Sequence, residues 1–114
     1  MVVPILRGPY RLASAVIGIF VPAGMAGVYL LGALSQGKLH PVDAVGRAER
    51  DLADTLMGLI GSNSGFMFAP ASSPQEAFEM ECRVFHDNML SGRRPHPMAP
   101  PDTPLVCPVC GSRG

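Results

Sequence analysis

The sequence predicts a mainly α-helical membrane protein without a large core of its own, and three observations lead to this fold class. Residues 12–34 form an uninterrupted stretch without a charged side chain. Charged residues make up 16% of the 114-residue chain, against roughly 25% in soluble domains. Thirteen glycines and twelve prolines interrupt the chain, which favours short helices and connecting segments over one continuous domain.

The charge count, the cysteine count and the absence of catalytic motifs each argue against one class of protein. Nine basic residues balance nine acidic ones, so the chain lacks the excess positive charge on which nucleic-acid binding commonly depends. Three cysteines cannot all pair in disulfide bonds, which argues against a secreted disulfide framework. The sequence also contains no nucleophile paired with a base and no phosphate-binding glycine loop, so we do not expect an enzyme.

The apolar stretch predicts a transmembrane helix at residues 12–35, preceded by a short flank at residues 1–11. Such a helix would be about 34 Å long, enough to cross a bilayer core of roughly 30 Å. Tyr10 and Tyr29 lie near the two expected interfaces, where amphipathic rings are common. A cleaved signal peptide is the alternative, but the apolar residues continue past the candidate cleavage site at residues 24–26.

The next segment, residues 41–61, predicts an amphipathic helix, because apolar side chains recur there every three or four positions. Pro41 suits its first turn and Gly61 its C-terminal end. Charged side chains, Arg47 among them, occupy the opposite face. We expect this helix to pack against a partner subunit or to lie on a membrane surface. A Gly/Ser loop follows at residues 62–72.

The third predicted helix has the clearest local signals in the chain. Ser73 is a suitable N-cap, Pro74 suits the first helical position, and Glu76 completes a capping box. A proline-rich tail follows this helix. Helix and tail together form the last predicted unit, residues 73–114.

Four candidate metal ligands lie in this last unit. Cys82 and His86 are four residues apart, so a helix presents them on one face. Cys107 and Cys110 form a C-x-x-C turn that directs two sulfurs at one point, and Gly111 lets the backbone fold beneath the metal. Three thiolates and one imidazole make up the Cys₃His set of a closed structural zinc site. The sequence therefore predicts a structural Zn²⁺ site with the ligands Cys82, His86, Cys107 and Cys110.

Three other interpretations of these residues stay open. His96, in the proline-rich segment, could replace His86 as the fourth ligand. A redox C-x-x-C pair normally opens a helix within a βαβ unit, which this sequence does not resemble. A two-iron cluster with mixed Cys and His ligands requires spacings that do not match. The C-P-x-C-G turn resembles those of zinc-ribbon and rubredoxin-like modules over residues 107–111 alone.

The predicted architecture is similar in plan to accessory subunits of respiratory-chain complexes. This similarity implies a non-catalytic subunit of a multi-subunit membrane complex, with other subunits and the lipid bilayer as partners and no nucleic acid. The alternative is a membrane-anchored zinc adaptor or regulator that recruits a soluble partner and carries a small basic patch of Arg93, Arg94 and Arg113. Thiolate ligands persist most easily in a reducing compartment. The predicted location is therefore the mitochondrial inner membrane with the tail in the matrix, or alternatively a bacterial inner membrane.

Overall fold

The computed structural model describes residues 4–114 and consists of one antiparallel sheet between two layers of helix. The strands are β1 (Arg7–Arg11), β2 (Gly27–Ser35), β3 (Lys38–Ala48) and β4 (Gly65–Pro70), and the helices are α1 (Ser14–Phe20), α2 (Leu52–Met57) and α3 (Pro74–Asp87). The sheet order is β1-β4-β2-β3, with every pair antiparallel. The predicted mainly α-helical fold class is therefore wrong. The first three residues of the predicted flank lie outside the described residues.

The predicted transmembrane helix at residues 12–35 is also wrong. Helix α1 ends at Phe20 and strand β2 begins at Gly27, so the apolar stretch is divided between two elements. Within residues 4–114, no helix combines the length and the apolar character that crossing a bilayer requires. The predicted location in a mitochondrial or bacterial inner membrane depended on that span and is wrong with it.

The apolar character of this stretch has a different cause, namely the central place of β2 in the sheet. Strand β2 pairs with β3 on one side and β4 on the other, and helices cover both of its faces. Successive side chains of a strand point to opposite faces, so a strand covered on both faces is apolar throughout. Such a run cannot be distinguished from a buried helix by its periodicity.

The core lies on both sides of the sheet. Leu31 packs with α1 and α2 on one face, and its neighbour Leu30 packs with α3 on the other. Phe66 and Phe68 of β4 are fully buried in the first cluster, although the sequence predicts a loop for residues 62–72. The prediction that the chain lacks a large core is therefore wrong.

The predicted amphipathic helix at residues 41–61 is replaced by the end of β3 and the short helix α2. A two-residue turn joins β2 to β3 at Gln36 and Gly37, whose φ angles are 52° and 74°. Positive φ at both central residues is typical of hairpin turns whose twist matches that of the strands. Pairing of β3 with β2 outweighs the local helical periodicity, because propensity yields to tertiary context.

The predicted third helix is confirmed as α3, including its cap. The Ser73 Oγ atom accepts a hydrogen bond from the Glu76 amide at 3.1 Å, and Glu76 Oε1 accepts one from the Ser72 amide at 2.8 Å. Ala77 and Met80 are buried against the sheet. Because one face of α3 is fixed in this way, the directions of its remaining side chains are fixed as well.

Candidate metal centre and adjoining cleft

Helix α3 presents His86 in its last turn, beside the C-terminal tail. The imidazole is half-buried, and its Nε2 atom is buried without a hydrogen-bond partner among residues 4–114. A buried polar nitrogen in this state is unusual, because such groups are normally satisfied by protein, water or an ion. The His96 ring lies 5.4 Å from the His86 ring, measured between centroids. The two imidazoles are therefore close enough to share a ligand.

His96 is held in the tail through one of its ring nitrogens. Its Nδ1 atom lies 2.8 Å from the carbonyl oxygen of Pro97, which can only accept, so Nδ1 carries the proton. In the neutral ring Nε2 is then unprotonated, and it lies 3.4 Å from the Cys110 sulfur. Fixing of the tautomer by a carbonyl is typical of metal-binding histidines.

Cys107 and Cys110 lie on the tight turn that the sequence predicts. The Gly111 amide donates to the Cys107 carbonyl at 2.8 Å, and the Cys107 amide donates to the Ser112 carbonyl at 2.7 Å. The Val109 amide donates to the Cys107 sulfur at 3.4 Å. These bonds orient the turn so that both sulfurs face the histidines.

The Cys107 sulfur is surrounded by hydrogen-bond donors. Burial by itself raises the pKa of its thiol. Hydrogen bonds from the backbone amides of Cys110 and Val109 and from the side chains of His96 and Cys110 together lower this pKa by a larger amount. The net result is a pKa of about 6, against an ordinary value of 9.0. This lowering favours the thiolate of Cys107, which is the form that binds metals.

Four potential ligands converge at this point of the structure. One ligand atom from each of His86, His96, Cys107 and Cys110 lies within 4.8 Å of the other three. Around tetrahedral zinc the ligand atoms are roughly 3.3–3.8 Å apart, given Zn–S and Zn–N bonds of about 2.3 and 2.0 Å. The group is compatible with a metal ion after small side-chain movements. Its two imidazoles and two thiols suit zinc and other borderline-soft metals.

Three of the four predicted ligands, His86, Cys107 and Cys110, belong to this group, and so does the alternative ligand His96. The remaining predicted ligand, Cys82, lies beside the group and is fully buried against Cys107. Burial, followed by a hydrogen bond to Cys107 and nearby negative charges, raises the pKa of the Cys82 thiol. The Cys₃His ligand set stays a prediction. It would form if the Cys82 thiol took the place of one of the two imidazoles in the group.

A second cluster of ionisable side chains lies next to the metal group, in a cleft that α3 forms with β3. The Arg47 Nη1 atom donates to Glu81 Oε1 at 2.8 Å, and these side chains are only 15% and 10% exposed. The pair lines a cavity of about 730 Å³, a size common for small-molecule sites. One more basic and three more acidic side chains line the same cavity: Arg50, Glu49, Asp51 and Asp54.

Tyr29 adds a hydroxyl group to this cleft, and Gly46 makes room for it. A Cβ atom at position 46 would lie 2.2 Å from the Tyr29 hydroxyl oxygen, so no larger residue fits beneath the ring. Burial and the negative charge of Glu81 raise the pKa of Tyr29. Burial also raises the pKa of Glu81, and this effect exceeds the lowering by Arg47. Perturbed ionisable groups in a cleft are typical of functional sites.

The sequence pattern does not reveal this cleft. It puts Arg47 on the exposed face of a predicted helix and Glu81 among the acidic residues of another helix. The two residues are 34 positions apart, and they meet because α3 packs across the sheet next to β3. The glycine directly before Arg47 is the one local signal, since an isolated glycine in a strand indicates a close approach.

No family model, curated protein or solved structure matches the chain. The metal group and the cleft are therefore the features of the molecule that bear on its function.

Proposed function

We propose that the chain is a small zinc-stabilised domain in which one Zn²⁺ ion ties the C-terminal tail to helix α3. The observation that carries this proposal is the convergence of His86, His96, Cys107 and Cys110 within 4.8 Å. The buried Nε2 atom of His86 supports it, because a metal would supply the partner that this atom needs. Four protein ligands fill a tetrahedral shell, so the zinc is structural and has no open position for catalysis.

Apart from the metal group, scattered contacts and not a helix or strand hold the tail in place. Residues 95–106 include five prolines, and the structure, which describes all of them, has neither helix nor strand there. Ala99 and Leu105, the apolar residues that pack against Phe78 and the buried cysteines, are themselves only partly buried. In such a segment metal-binding energy becomes folding energy, about 10–16 kcal/mol in zinc-finger peptides.

Metal titration of the full chain tests this proposal. We expect one Co²⁺ or Zn²⁺ ion per chain and, with Co²⁺, a tetrahedral spectrum with thiolate charge-transfer bands. The His96→Asn variant should bind at least about tenfold more weakly, because one ligand is lost. The matched control is His40→Asn, at an exposed histidine of β3, which should bind like the unmodified chain. Failure to bind one equivalent, or equal affinities of the two variants, would contradict the proposal.

The cleft favours a second function, the binding and hydrolysis of a phosphate ester together with a divalent cation. The planar guanidinium of Arg47 suits bidentate contact with a phosphate group. The carboxylate of Glu81 suits Mg²⁺, which commonly takes one or two carboxylates together with substrate phosphates. Since four carboxylates and two guanidiniums line the cavity, an anion enters it most favourably with a divalent cation. The buried ion pair between Arg47 and Glu81 carries this candidate function.

Two measurements test the second function. Inorganic phosphate should bind in the presence of Mg²⁺, and a nitrophenyl phosphate diester should be hydrolysed. Glu81→Gln should abolish both, whereas Glu79→Gln, on the same helix but outside the cavity lining, should retain them. Circular dichroism of each variant checks that it is folded. Hydrolysis that survives in folded Glu81→Gln would contradict the assignment.

The accessory-subunit function stays a prediction, as does its alternative, a zinc adaptor or regulator that recruits a soluble partner. Neither prediction now includes a membrane anchor. Two of the three arginines of the predicted basic patch hold the tail. Arg94 pairs with Asp43 of β3, and Arg113 donates to the Leu105 carbonyl at 2.6 Å. A stoichiometric partner that co-purifies with the native chain would favour the accessory function. A lack of catalysis in the diester assay would agree with it.

A further inference from the structure

Helix α1 is apolar on the face that it turns away from the sheet. Ile17 is buried beneath it in the core, but Ile19 is 74% exposed, and Ser14 is the only polar residue of the helix. A helix on the surface of a globular protein normally carries polar and charged side chains on its outer face. A helix that is apolar all round is normally buried, so the outer face of α1 indicates that another surface covers it.

Helix α2 extends this surface, because the two helices lie side by side and run in opposite directions. The Leu12 amide, just before α1, donates at 3.0 Å to the Ser64 carbonyl, beyond the end of α2. The Leu52 amide, at the start of α2, donates at 2.8 Å to the Met25 carbonyl, beyond the end of α1. The helix pair with these flanking segments, which we call the α1/α2 face, exposes 39–74% of five large apolar side chains: Ile19, Phe20, Met25, Met57 and Ile60.

The size of the α1/α2 face is sufficient for a specific interface. Together the five side chains expose on the order of 500 Å² of surface, in the size range in which apolar patches of monomers are often functional. A stable specific interface buries at least about 1,000 Å², counted over both partners. Two copies of the α1/α2 face would supply that area if they covered each other.

The lack of charge on this face indicates which partner covers it. Residues 12–34 and 55–75 contain no acidic or basic side chain, and Asp51 and Asp54 of the α2 region line the cleft. Surfaces that bind anionic membranes carry Lys and Arg side chains beside the apolar ones, and these two segments have none. A symmetric dimer brings a patch against its own copy, so a patch of one charge would repel itself, whereas an uncharged patch does not. The composition therefore favours a second copy of this chain.

We propose that two copies of this chain associate through their α1/α2 faces about a twofold axis. The same residues of both copies meet in such an interface, so one uncharged apolar surface satisfies both sides. Helix α3 and the metal group lie on the opposite face of the sheet and stay accessible in the dimer. The inference is therefore independent of the proposed zinc site.

Sedimentation equilibrium of the full chain over a range of concentrations tests this association. We expect a mass that rises with concentration to twice the monomer mass of 12.0 kDa. Ile19→Glu should weaken dimerisation at least about tenfold, because it would bury an unpaired charge in the interface. Met98→Glu, at a tail position that is 72% exposed, is the matched control and should dimerise like the unmodified chain. Circular dichroism checks that both variants are folded.

Oxidation of methionines by hydrogen peroxide tests the interface in the unmodified chain and does not depend on the folding of a variant. Met25 and Met57 lie on the α1/α2 face, whereas Met89 and Met98 are exposed elsewhere. As the protein concentration rises, the first pair should be oxidised more slowly at a fixed peroxide concentration, and the second pair should keep its rate. Mass spectrometry of peptides measures the four rates.

The opposing results are specific. A mass that stays that of the monomer up to about 1 mM would overturn the inference, since so weak an association is not that of a specific interface. Monomers that bind phosphatidylcholine vesicles would assign the face to lipid and overturn it as well. A dimer that folded Ile19→Glu leaves intact, or in which Met25 and Met57 are not protected, would put the interface elsewhere and contradict the proposal.

Discussion

Arg47 lies over the ring of Phe78, with its Cζ atom 5.3 Å from the ring centroid. Phe78 is fully buried and also packs against Cys82 and Cys107. A single aromatic ring therefore contacts both the cleft and the metal group. Since Phe78 and Glu81 lie one turn apart on α3, the same helix turn supplies both contacts to Arg47.

Replacement of this ring should destabilise the chain more than replacement of an exposed one. Phe78→Leu should lower the free energy of unfolding by about 2 kcal/mol, because core volume and the cation–π contact are both lost. The matched control is Phe20→Leu, at a ring that is 46% exposed, for which we expect less than about 1 kcal/mol. Urea denaturation measures both values. Equal losses of stability in the two variants would contradict the interpretation that Phe78 supports both the cleft and the metal group.

Gly46 should tolerate no side chain. Gly46→Ala would put a Cβ atom 2.2 Å from the Tyr29 hydroxyl, so the ring must move out of the cleft. We expect a loss of about 1–3 kcal/mol, as is usual for overpacking. Gly18→Ala in α1 is the control, since no neighbouring atom lies within 4 Å of its Cβ position. That change should be neutral or stabilising by up to about 1 kcal/mol, and thermal unfolding of the two variants should separate them clearly.

The contact between Asp43 and Arg94 should make stability depend on acid pH. Hydrogen bonds from Arg94 and Asn63 lower the pKa of Asp43 below its ordinary value of 3.8. A lowered folded-state pKa contributes stability above pH 3.8, and this contribution is lost as pH falls through the folded-state value. Because the pair is exposed, Asp43→Asn should cost less than about 1 kcal/mol at neutral pH.

Urea denaturation of the unmodified chain and Asp43→Asn over a pH series tests this sign. The difference between them should shrink as pH falls below 3.8. A difference that grows toward acid pH would contradict the prediction.

Removal of the metal should release the tail to proteolysis. Arg93 is exposed six residues beyond the end of α3, and the bond that follows it is open to trypsin once the tail leaves the helix. We expect a chelator to accelerate cleavage there at least about tenfold, and added Zn²⁺ to reverse the effect, because binding to the folded state suppresses local opening. Cleavage after Arg7 in β1, far from the tail in the sheet order, serves as the internal control. Equal rates with and without chelator would contradict a metal-held tail.

The elements that the sequence predicts correctly are those set by local chemistry. Ser73, Pro74 and Glu76 determine the start of α3 through hydrogen bonds within a single turn. The turn at residues 107–111 is equally local. These features depend on residues close in sequence, so the pattern alone is sufficient to identify them.

The elements that the sequence misses are those decided by distant contacts. Whether Leu30 and Leu31 belong to a helix or a strand depends on β4, which begins more than thirty residues later. His96 is brought to Cys110 by the course of a proline-rich segment that has no periodic signal. Arg47 and Glu81 meet only after β3 and α3 have packed together. Local patterns carry no information about these encounters.

The adjacent positions of Glu81 and Cys82 on α3 constrain how this chain can vary in length. Successive residues of a helix are rotated by about 100°, so these neighbours serve the cleft and the metal group from different faces of one rod. Insertion of one residue between Phe78 and His86 would rotate one set of contacts away from the other. The tail is different, because a few extra residues at its exposed turn near Asp102 would cost little loop-closure entropy. Length variation should therefore be tolerated in the tail and excluded from this part of α3.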